Sequence, residues 1–253
     1  MNNRWNKKSI VYFILTVLFS FIQQLLSAQS VNKPYYNFKT YTTSDGLISN
    51  HVKCAYKDTR GFLWIGTNRG LQRYNGSTFL TFRHLNNDSN SIANETIISI
   101  TEDKQQNIWI ATIDGITKFS YSNGKLTNYT YGYKNGHKIP LKEVFCFFED
   151  SKGRQWIGTA NSGLYLFNKT KQQFVHSPPL ANLAMKQDFF WWVNSIQETA
   201  KQELVFTVRD GFVIINKEGR QQYLKVPVPA DKKIIYQPCL LLPLLKEYPM
   251  KYG

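Results

Sequence analysis

The sequence has few cysteines and no grouping of side chains with the spacing of a known metal site. Its three cysteines, Cys54, Cys146 and Cys239, are an odd and sparse set among 253 residues, which argues against a disulfide framework. No Cys-x-x-Cys pair or Cys/His cluster with zinc spacing occurs. We therefore predict neither a metal site nor a bound cofactor.

The sequence also lacks the motifs of the common enzyme classes. Its four histidines are far apart and show no His-Glu-x-x-His spacing. There is no Gly-x-Ser-x-Gly elbow, no glycine-rich phosphate loop and no kinase phosphoacceptor site. Two acid pairs, Glu102-Asp103 and Glu149-Asp150, recur at one position of a repeat and are interpreted as turn residues. We expect no catalytic residue and no phosphate transfer by this chain.

Acidic residues are scarce relative to basic ones. The chain has 31 Lys and Arg against 17 Asp and Glu, a net charge of +14. The basic residues are scattered rather than clustered, so the charge by itself identifies no ligand. Aromatic residues make up 15% of the chain, which favours β-structure or a binding surface over a helical bundle.

The first 28 residues have the pattern of a secretory signal peptide. Arg4, Lys7 and Lys8 precede an apolar stretch from Ile10 to Ile22, and cleavage is expected after Ala28. The stretch is shorter than the roughly 20 residues that span a bilayer. An uncleaved N-terminal anchor is the alternative. Either way we expect export to the periplasm, a membrane contact only through this segment, and no bound nucleic acid.

The remainder of the chain is an internal repeat. Trp64-Ile65-Gly66-Thr67 recurs at Trp109 and Trp156, 45 and 47 residues apart, and Leu204-Val205-Phe206-Thr207 is interpreted as a fourth copy without Trp. An acidic residue lies six positions before each copy. These residues are Asp58, Asp103, Asp150 and Glu198. A glycine follows each copy, and an apolar residue comes after the glycine.

Each repeat is predicted to be a four-stranded antiparallel meander, and the fold class to be all-β, built of β-propeller blades. Four short strands in about 45 residues is the size of one blade. The blades are expected within residues 36–226, followed by an irregular tail at 227–253. The four units lie near 45–83, 92–130, 140–176 and 189–226. A single blade cannot bury both of its faces, so Trp64, Trp109 and Trp156 should pack between neighbouring sheets.

These motifs resemble the two-component regulator propeller repeat. The resemblance rests on Asp45-Gly46-Leu47-Ile48-Ser49-Asn50, on the Asp58 to Gly76 segment with its Trp phrase, and on Asn86 to Asn94. It implies the periplasmic sensor of a hybrid two-component system, often one that detects glycans, with a kinase that this sequence does not contain. A homodimer of the complete parent is a further implication. Gln106, Ala111 and the missing fourth Trp depart from the repeat pattern.

The number of blades is left open by the sequence. Tyr36 to Thr42 has the pattern of an outer strand without inner strands, and Lys233 to Tyr236 could begin a fifth unit that no Trp phrase follows. An incomplete ring from a truncated sensor is favoured over a complete four-bladed propeller.

Loops on one face of the predicted propeller are the expected ligand-binding surface. The links before the first strands and between the second and third strands lie on that face, and their residues differ from unit to unit. The candidates are Asn50, His51, Arg69, Glu95, Asp114, Lys142, Ser162, Trp191 and Asp210. The expected partner is an oligosaccharide or another small ligand, with Trp191 stacking on a sugar. A lyase or hydrolase using His51 and a nearby acid, and a non-functional fragment, are the alternatives.

Overall fold

The computed structural model describes residues 11–12, 14–20, 37–160, 162–177, 192–208 and 211–225. The chain divides into two compact units, Met1–Thr40 and Tyr41–Gly253. In the first unit, residues 11–12 and 14–20 are helical. None of the helices described is both long and apolar enough to cross a bilayer. The predicted cleavage after Ala28 and the tail at 227–253 lie outside the described residues.

In the second unit, the first, second and fourth repeats each form a four-stranded antiparallel sheet, so the predicted propeller blades are confirmed. We call them blades 1, 2 and 4. Blade 1 consists of β1 (Val52–Lys57), β2 (Leu63–Thr67), β3 (Leu71–Tyr74) and β4 (Phe79–Phe82). Blade 2 consists of β5 (Ile97–Glu102), β6 (Ile108–Thr112), β7 (Gly115–Ser120) and β8 (Lys125–Tyr129). Blade 4 consists of β15 (Ser195–Glu198), β16 (Leu204–Val208), β17 (Gly211–Ile215) and β18 (Gln221–Lys225).

The third repeat forms blade 3, which has six strands rather than the four predicted. A hairpin of β9 (Tyr131–Lys134) and β10 (His137–Pro140) precedes the meander. Its strand β9 pairs in parallel with the outer strand β14. The meander consists of β11 (Val144–Glu149), β12 (Gln155–Thr159), β13 (Leu164–Asn168) and β14 (Gln173–His176). The hairpin was missed because its pairing with β14 joins segments that are far apart in sequence.

Consecutive blades pack face to face through the tryptophans of their second strands. Trp64, Trp109 and Trp156 are all buried, at 0%, 1% and 5% exposure. Trp64 lies in one apolar cluster with Ile108 and Ile110 of blade 2. In the same way Trp109 clusters with blade 3 and Trp156 with blade 4. Large aromatic side chains at one repeated position therefore supply the cores between the blades.

The fourth repeat is shifted by one residue from its predicted alignment. Lys57 pairs with Leu63 across the first turn of blade 1, and Glu198 pairs with Leu204 across that of blade 4. Val205, not Leu204, therefore occupies the position of the tryptophan. Because successive strand residues point to opposite faces, Leu204 instead packs toward Trp156 in the cluster between blades 3 and 4.

The same shift gives the aspartate position to Thr199 rather than to Glu198. The backbone N–H of Glu203 donates to Thr199 Oγ1 at 3.2 Å, as the N–H of Phe62 donates to Asp58 Oδ1 at 2.8 Å. A hydroxyl can accept a turn N–H as a carboxylate does, so this turn is retained without an acid. The acidic residue Glu198 belongs instead to a second repeated position.

The expected outer strand at Tyr36 to Thr42 is not observed, since its described part, 37–42, contains no strand. The chain turns at Thr42 into a short 3-10 helix, Thr43–Asp45. Thr42 Oγ1 accepts the N–H of Ser44, and the Asp45 carboxylate accepts the N–H of Thr42, which together form a capping box. The 3-10 helix therefore ends the extended backbone at Thr42.

Candidate functional site

The repeated aspartates belong to the framework that positions the loops. One carboxylate oxygen of Asp58 accepts the N–H groups of Arg60 and Phe62 in the turn. The other oxygen accepts the indole N–H of Trp64, a contact that the repeat spacing alone did not predict. The same indole contact, at 2.7 to 3.0 Å, joins Asp58 with Trp64, Asp103 with Trp109 and Asp150 with Trp156. Each aspartate thus ties a turn to a buried tryptophan.

The loops named as the candidate face lie together at one end of the blades. We call them the loop face: 48–51, 67–70, 94–96, 113–115, 142–143, 159–160 and 162–163. They bond to each other between blades through backbone groups. The N–H of Gly70 donates to the Glu95 carbonyl at 2.8 Å, and that of Glu143 to the Ile113 carbonyl at 2.8 Å. Backbone hydrogen bonds between blades therefore hold the loops whose side chains vary from repeat to repeat.

Asp114 and Lys142 are brought together on this face. The Lys142 ammonium forms an ion pair with Asp114 Oδ1, while Asn94 Nδ2 donates to Asp114 Oδ2 at 2.8 Å. The Lys142 and Asp114 side chains remain 59% and 36% exposed, so a ligand can reach both. Asn94 was not among the predicted candidates. Its position in the link before the first strand of blade 2 was the signal that could have identified it.

Glu95 and Arg69 are not joined to each other. The Glu95 carboxylate pairs instead with Arg83, at 3.2 Å, and both side chains are well exposed. The Arg69 N–H donates to Thr67 Oγ1 at 3.0 Å, which fixes the backbone of its loop.

Asn50 and Ser162 have local backbone roles. Asn50 Oδ1 accepts the N–H of Thr43 at 3.0 Å, so this side chain holds the 3-10 helix. The N–H of Ser162 donates to Thr159 Oγ1 at 3.1 Å. Two further candidates, Trp191 and Asp210, lie outside the described residues.

His51 is exposed, and its backbone N–H donates to Ser49 Oγ at 3.1 Å. Within the described ranges, no carboxylate lies within hydrogen-bond or ion-pair distance of its ring. The described residues also contain no group of three or more His, Cys, Asp or Glu side chains able to hold a metal ion. The described geometry therefore assembles no acid–histidine pair around His51.

An aromatic pair near blade 3 was only partly anticipated. Trp192, the neighbour of Trp191, is 37% exposed, and its ring lies 5.8 Å from that of Phe145 in β11. Phe145 occupies the irregular position in the pairing of β11 with β12. Such a β-bulge redirects a side chain, which no sequence pattern indicated.

Titration of the described groups near this end of blade 3 follows their burial. Burial lowers the pKa of His176, and the positive charge of Lys134 acts in the same direction. Burial also raises the pKa of the Cys146 thiol to about 12. The imidazole is therefore biased toward its neutral form, and the thiol toward its protonated form.

Comparisons with known proteins support the resemblance. Residues 46–69 and 91–114 match the family model described as two component regulator propeller. Histidine kinase P4 of Formosa agariphila is 40% identical over 77 residues, which is 30% of this chain and 5% of that protein. The chain therefore spans only a small part of this curated relative.

Solved structures share the fold. One is described as the extracellular domain of a hybrid two component system from B. thetaiotaomicron, with a TM-score of 0.62 and 20% identity over 74% of this chain and 26% of that one. A second such domain from the same organism has a TM-score of 0.61 and 22% identity, over 76% and 27%. Virginiamycin B lyase from Staphylococcus aureus reaches 0.51 at 16% identity, over 70% and 56%.

At these identities the structures establish the fold and not the activity. The chain spans about a quarter of the length of the two extracellular domains. The resemblance stated from the sequence is nevertheless confirmed by the family match. Two repeats of this chain match the two component regulator propeller model, and the described residues of the second unit have the fold of propeller blades.

Proposed function

We propose that this chain is the ligand-sensing propeller portion of a hybrid two-component sensor, exported to the periplasm, and that its loop face binds an oligosaccharide. Binding would be communicated to a histidine kinase that these 253 residues do not contain. The observation that carries the proposal is the pair of repeats that match the two component regulator propeller model.

The relatives support this placement. The curated relative is named a histidine kinase, and the two solved domains are described as extracellular parts of two component systems. The predicted signal peptide is consistent with an exported domain.

The loop face supports ligand binding by its chemistry. Asp114 and Lys142 present an acceptor and a donor next to each other, on loops held by backbone bonds between blades 2 and 3. Sugar hydroxyls both donate and accept, so this pair can bind two neighbouring hydroxyls. Signalling then requires that the ligand bind one arrangement of the sensor more tightly than another.

Calorimetric titration of the full chain in mild detergent tests the proposal, using oligosaccharides from several polysaccharides as ligands. We expect at least one to bind, and Asp114→Asn and Lys142→Gln each to weaken that binding by about tenfold, the loss of one charged hydrogen bond. Ser77→Ala, in the exposed turn of blade 1, is the control and should bind as the parent does. If no oligosaccharide binds, the sensing proposal is wrong and a structural role remains.

A propeller lyase or hydrolase has no specific observation in its favour. The lyase among the solved structures shares the fold at 16% identity, and His51 is not paired with an acid in the described ranges. Reaction products detected by chromatography in the same titration mixtures would favour an enzyme over a sensor.

A further inference from the structure

The chain contains three Asn-Gly pairs, and all three lie in exposed turns. They are Asn75-Gly76, Asn123-Gly124 and Asn135-Gly136. An asparagine before a glycine can lose its side-chain amide, because the next backbone nitrogen can attack Cγ and glycine has no Cβ to obstruct the approach. The hydrogen bonds of each turn determine which pair is free to react.

The Asn75 side chain is held in the turn between β3 and β4. Its Oδ1 accepts the N–H of Ser77 at 2.8 Å and that of Thr78 at 2.7 Å. The carbonyl of Gly76 also accepts the hydroxyl of Tyr74 at 2.6 Å. Rotation of the Asn75 amide toward the nitrogen of Gly76 would break both bonds to Oδ1.

The pair Asn123-Gly124, between β7 and β8, is held at both reacting groups. Asn123 Oδ1 accepts the N–H of Lys125 at 3.0 Å. The N–H of Gly124 donates to the Ser120 carbonyl at 2.8 Å, so the attacking nitrogen is itself hydrogen-bonded. Reaction at this pair therefore requires the loss of two hydrogen bonds.

Asn135-Gly136 forms the two-residue turn of the β9–β10 hairpin. Lys134 pairs with His137 across it, and the φ angles of 50° and 80° at the two turn residues are typical of a type I′ turn. In the described part of the chain, no hydrogen bond involves the Asn135 side chain or the Gly136 N–H. A Cβ placed on Gly136 would meet no atom within 4 Å. Both reacting groups can therefore rotate without breaking a hydrogen bond.

The charges around this turn favour the same reaction. Residues 115–142 contain five lysines and His137 but no Asp or Glu. Lys134 and His137 are the direct neighbours of the pair in sequence. Nearby positive charge favours the deprotonated form of a group, here the backbone nitrogen of Gly136 that attacks the amide.

We propose that Asn135 is a site of spontaneous deamidation. The nitrogen of Gly136 bonds to Asn135 Cγ, and the side-chain nitrogen leaves as ammonia with the proton of the Gly136 N–H, which gives a succinimide ring. Water then adds to one of the two ring carbonyl carbons and breaks the bond of that carbon to the nitrogen. Addition at Cγ gives an aspartyl residue, and addition at the backbone carbonyl carbon gives an isoaspartyl residue.

The isoaspartyl product should open the hairpin. Its backbone has one additional carbon atom in the turn, whereas the length and type of the turn set the register of a two-residue hairpin. The pairing of Lys134 with His137 should therefore be lost first. The change affects the hairpin that distinguishes blade 3 and does not depend on the proposed sensing function.

Incubation of the full chain in mild detergent at mildly alkaline pH tests the proposal. Digestion at acidic pH and mass spectrometry of the peptides give a separate rate for each Asn-Gly pair, so Asn75 and Asn123 are controls within the same molecule. We expect Asn135 to deamidate about tenfold faster than either, because each of the other pairs must first lose two hydrogen bonds. In urea that unfolds the chain, the three rates should become similar.

Three results bear directly on the site. Equal rates at the three pairs in the folded chain, or a faster reaction at Asn75 or Asn123, would overturn the proposal. Reaction of Asn135 in urea but not in the folded chain would also overturn it, since the type I′ turn would then protect the pair. Asn135→Gln should abolish the reaction at this position and leave the other two rates unchanged.

Hydrogen exchange tests the opening of the hairpin. In the isoaspartyl form, isolated by chromatography, the amide protons of residues 131–140 should exchange about tenfold faster than in the parent, and those of blade 1 at the parent's rate. Asn135→Asp supplies the same charge without the additional backbone carbon and should retain the parent's protection. Equal protection in the isoaspartyl form and the parent would contradict this part of the proposal.

Discussion

Thr59 in blade 1 donates both its N–H and its hydroxyl to the carboxylate of Glu102 in blade 2, at 2.9 and 2.6 Å. The contact recurs between successive blades. In each case the residue after the turn aspartate of one blade faces the glutamate at the end of the first strand of the following blade. The pairs are Thr59 with Glu102, Lys104 with Glu149, and Ser151 with Glu198. Lysine has no hydroxyl, and Glu149 Oε1 is accordingly buried without a hydrogen-bond partner among the described residues. We call this contact the interblade clasp.

Removing one hydroxyl from the interblade clasp should destabilise the protein. Thr59→Val keeps the shape of the side chain and leaves Glu102 Oε1 without its 2.6 Å donor. We expect the free energy of unfolding to fall by about 1 kcal/mol, measured by urea denaturation followed by tryptophan fluorescence. Ser77→Ala removes an exposed hydroxyl outside the interblade clasp and is the control. Equal stability of Thr59→Val and the parent would show that the hydroxyl of the interblade clasp contributes nothing.

Tyr121 should make stability depend on alkaline pH. Burial raises its pKa from 10.0 to about 12, and its hydrogen bond to Asp58 of the neighbouring blade acts in the same direction. Because the folded state holds the phenolic proton more tightly, the contribution of Tyr121 is complete below pH 10 and is lost as the pH rises through about 12.

Tyr121→Phe tests this dependence. We expect the stability difference between the parent and the variant to shrink as the pH rises from 10 to 12, in urea denaturation at each pH. A difference that stays constant across this range would contradict the assignment. Spectrophotometric titration of Tyr121→Phe should also show one fewer tyrosine with a raised pKa than titration of the parent.

Ser99 occupies a position better suited to an apolar side chain. Its hydroxyl is buried and has no hydrogen-bond partner in the described part of the chain, while the same repeat position holds Cys54 in blade 1 and Cys146 in blade 3. Ser99→Ala should therefore raise the free energy of unfolding by about 1 kcal/mol. Ser49→Ala should instead lower the free energy of unfolding, because Ser49 Oγ donates to Asn68 and accepts the N–H of His51. Destabilisation by Ser99→Ala would mean that an unseen partner satisfies its hydroxyl.

Gly132 is required for the hairpin to join blade 3. A Cβ there would lie 2.4 Å from Tyr165 Cε1, so Gly132→Ala should destabilise the protein by about 2 kcal/mol. In a Tyr165→Leu background the ring is absent, and the same substitution should cost much less. A double-mutant cycle measured by urea denaturation checks this coupling. Equal penalties in both backgrounds would show that the ring is not the cause.

The sequence predicted well those features that depend on neighbouring residues. The repeat spacing, the turns at Asp58 and Asp103, and the strands that flank them follow from short-range chemistry that each repeat carries in full. The burial of Trp64 also followed, because a blade must cover its faces. The assignment of Leu204 failed because a one-residue shift leaves an apolar run apolar, while in the sheet it moves every side chain to the opposite face.

The sequence by itself thus determined the blade as a unit, the spacing of the repeats and the ends at which the loops of each blade lie. Only the tertiary structure decided which surfaces meet: Thr59 with Glu102, Asp114 with Lys142, and β9 in parallel with β14. The physical reason is the sequence separation over which each kind of interaction acts. Turn hydrogen bonds and strand alternation act over a few residues, whereas contacts between blades join side chains tens of residues apart, and no local pattern specifies which partner lies opposite.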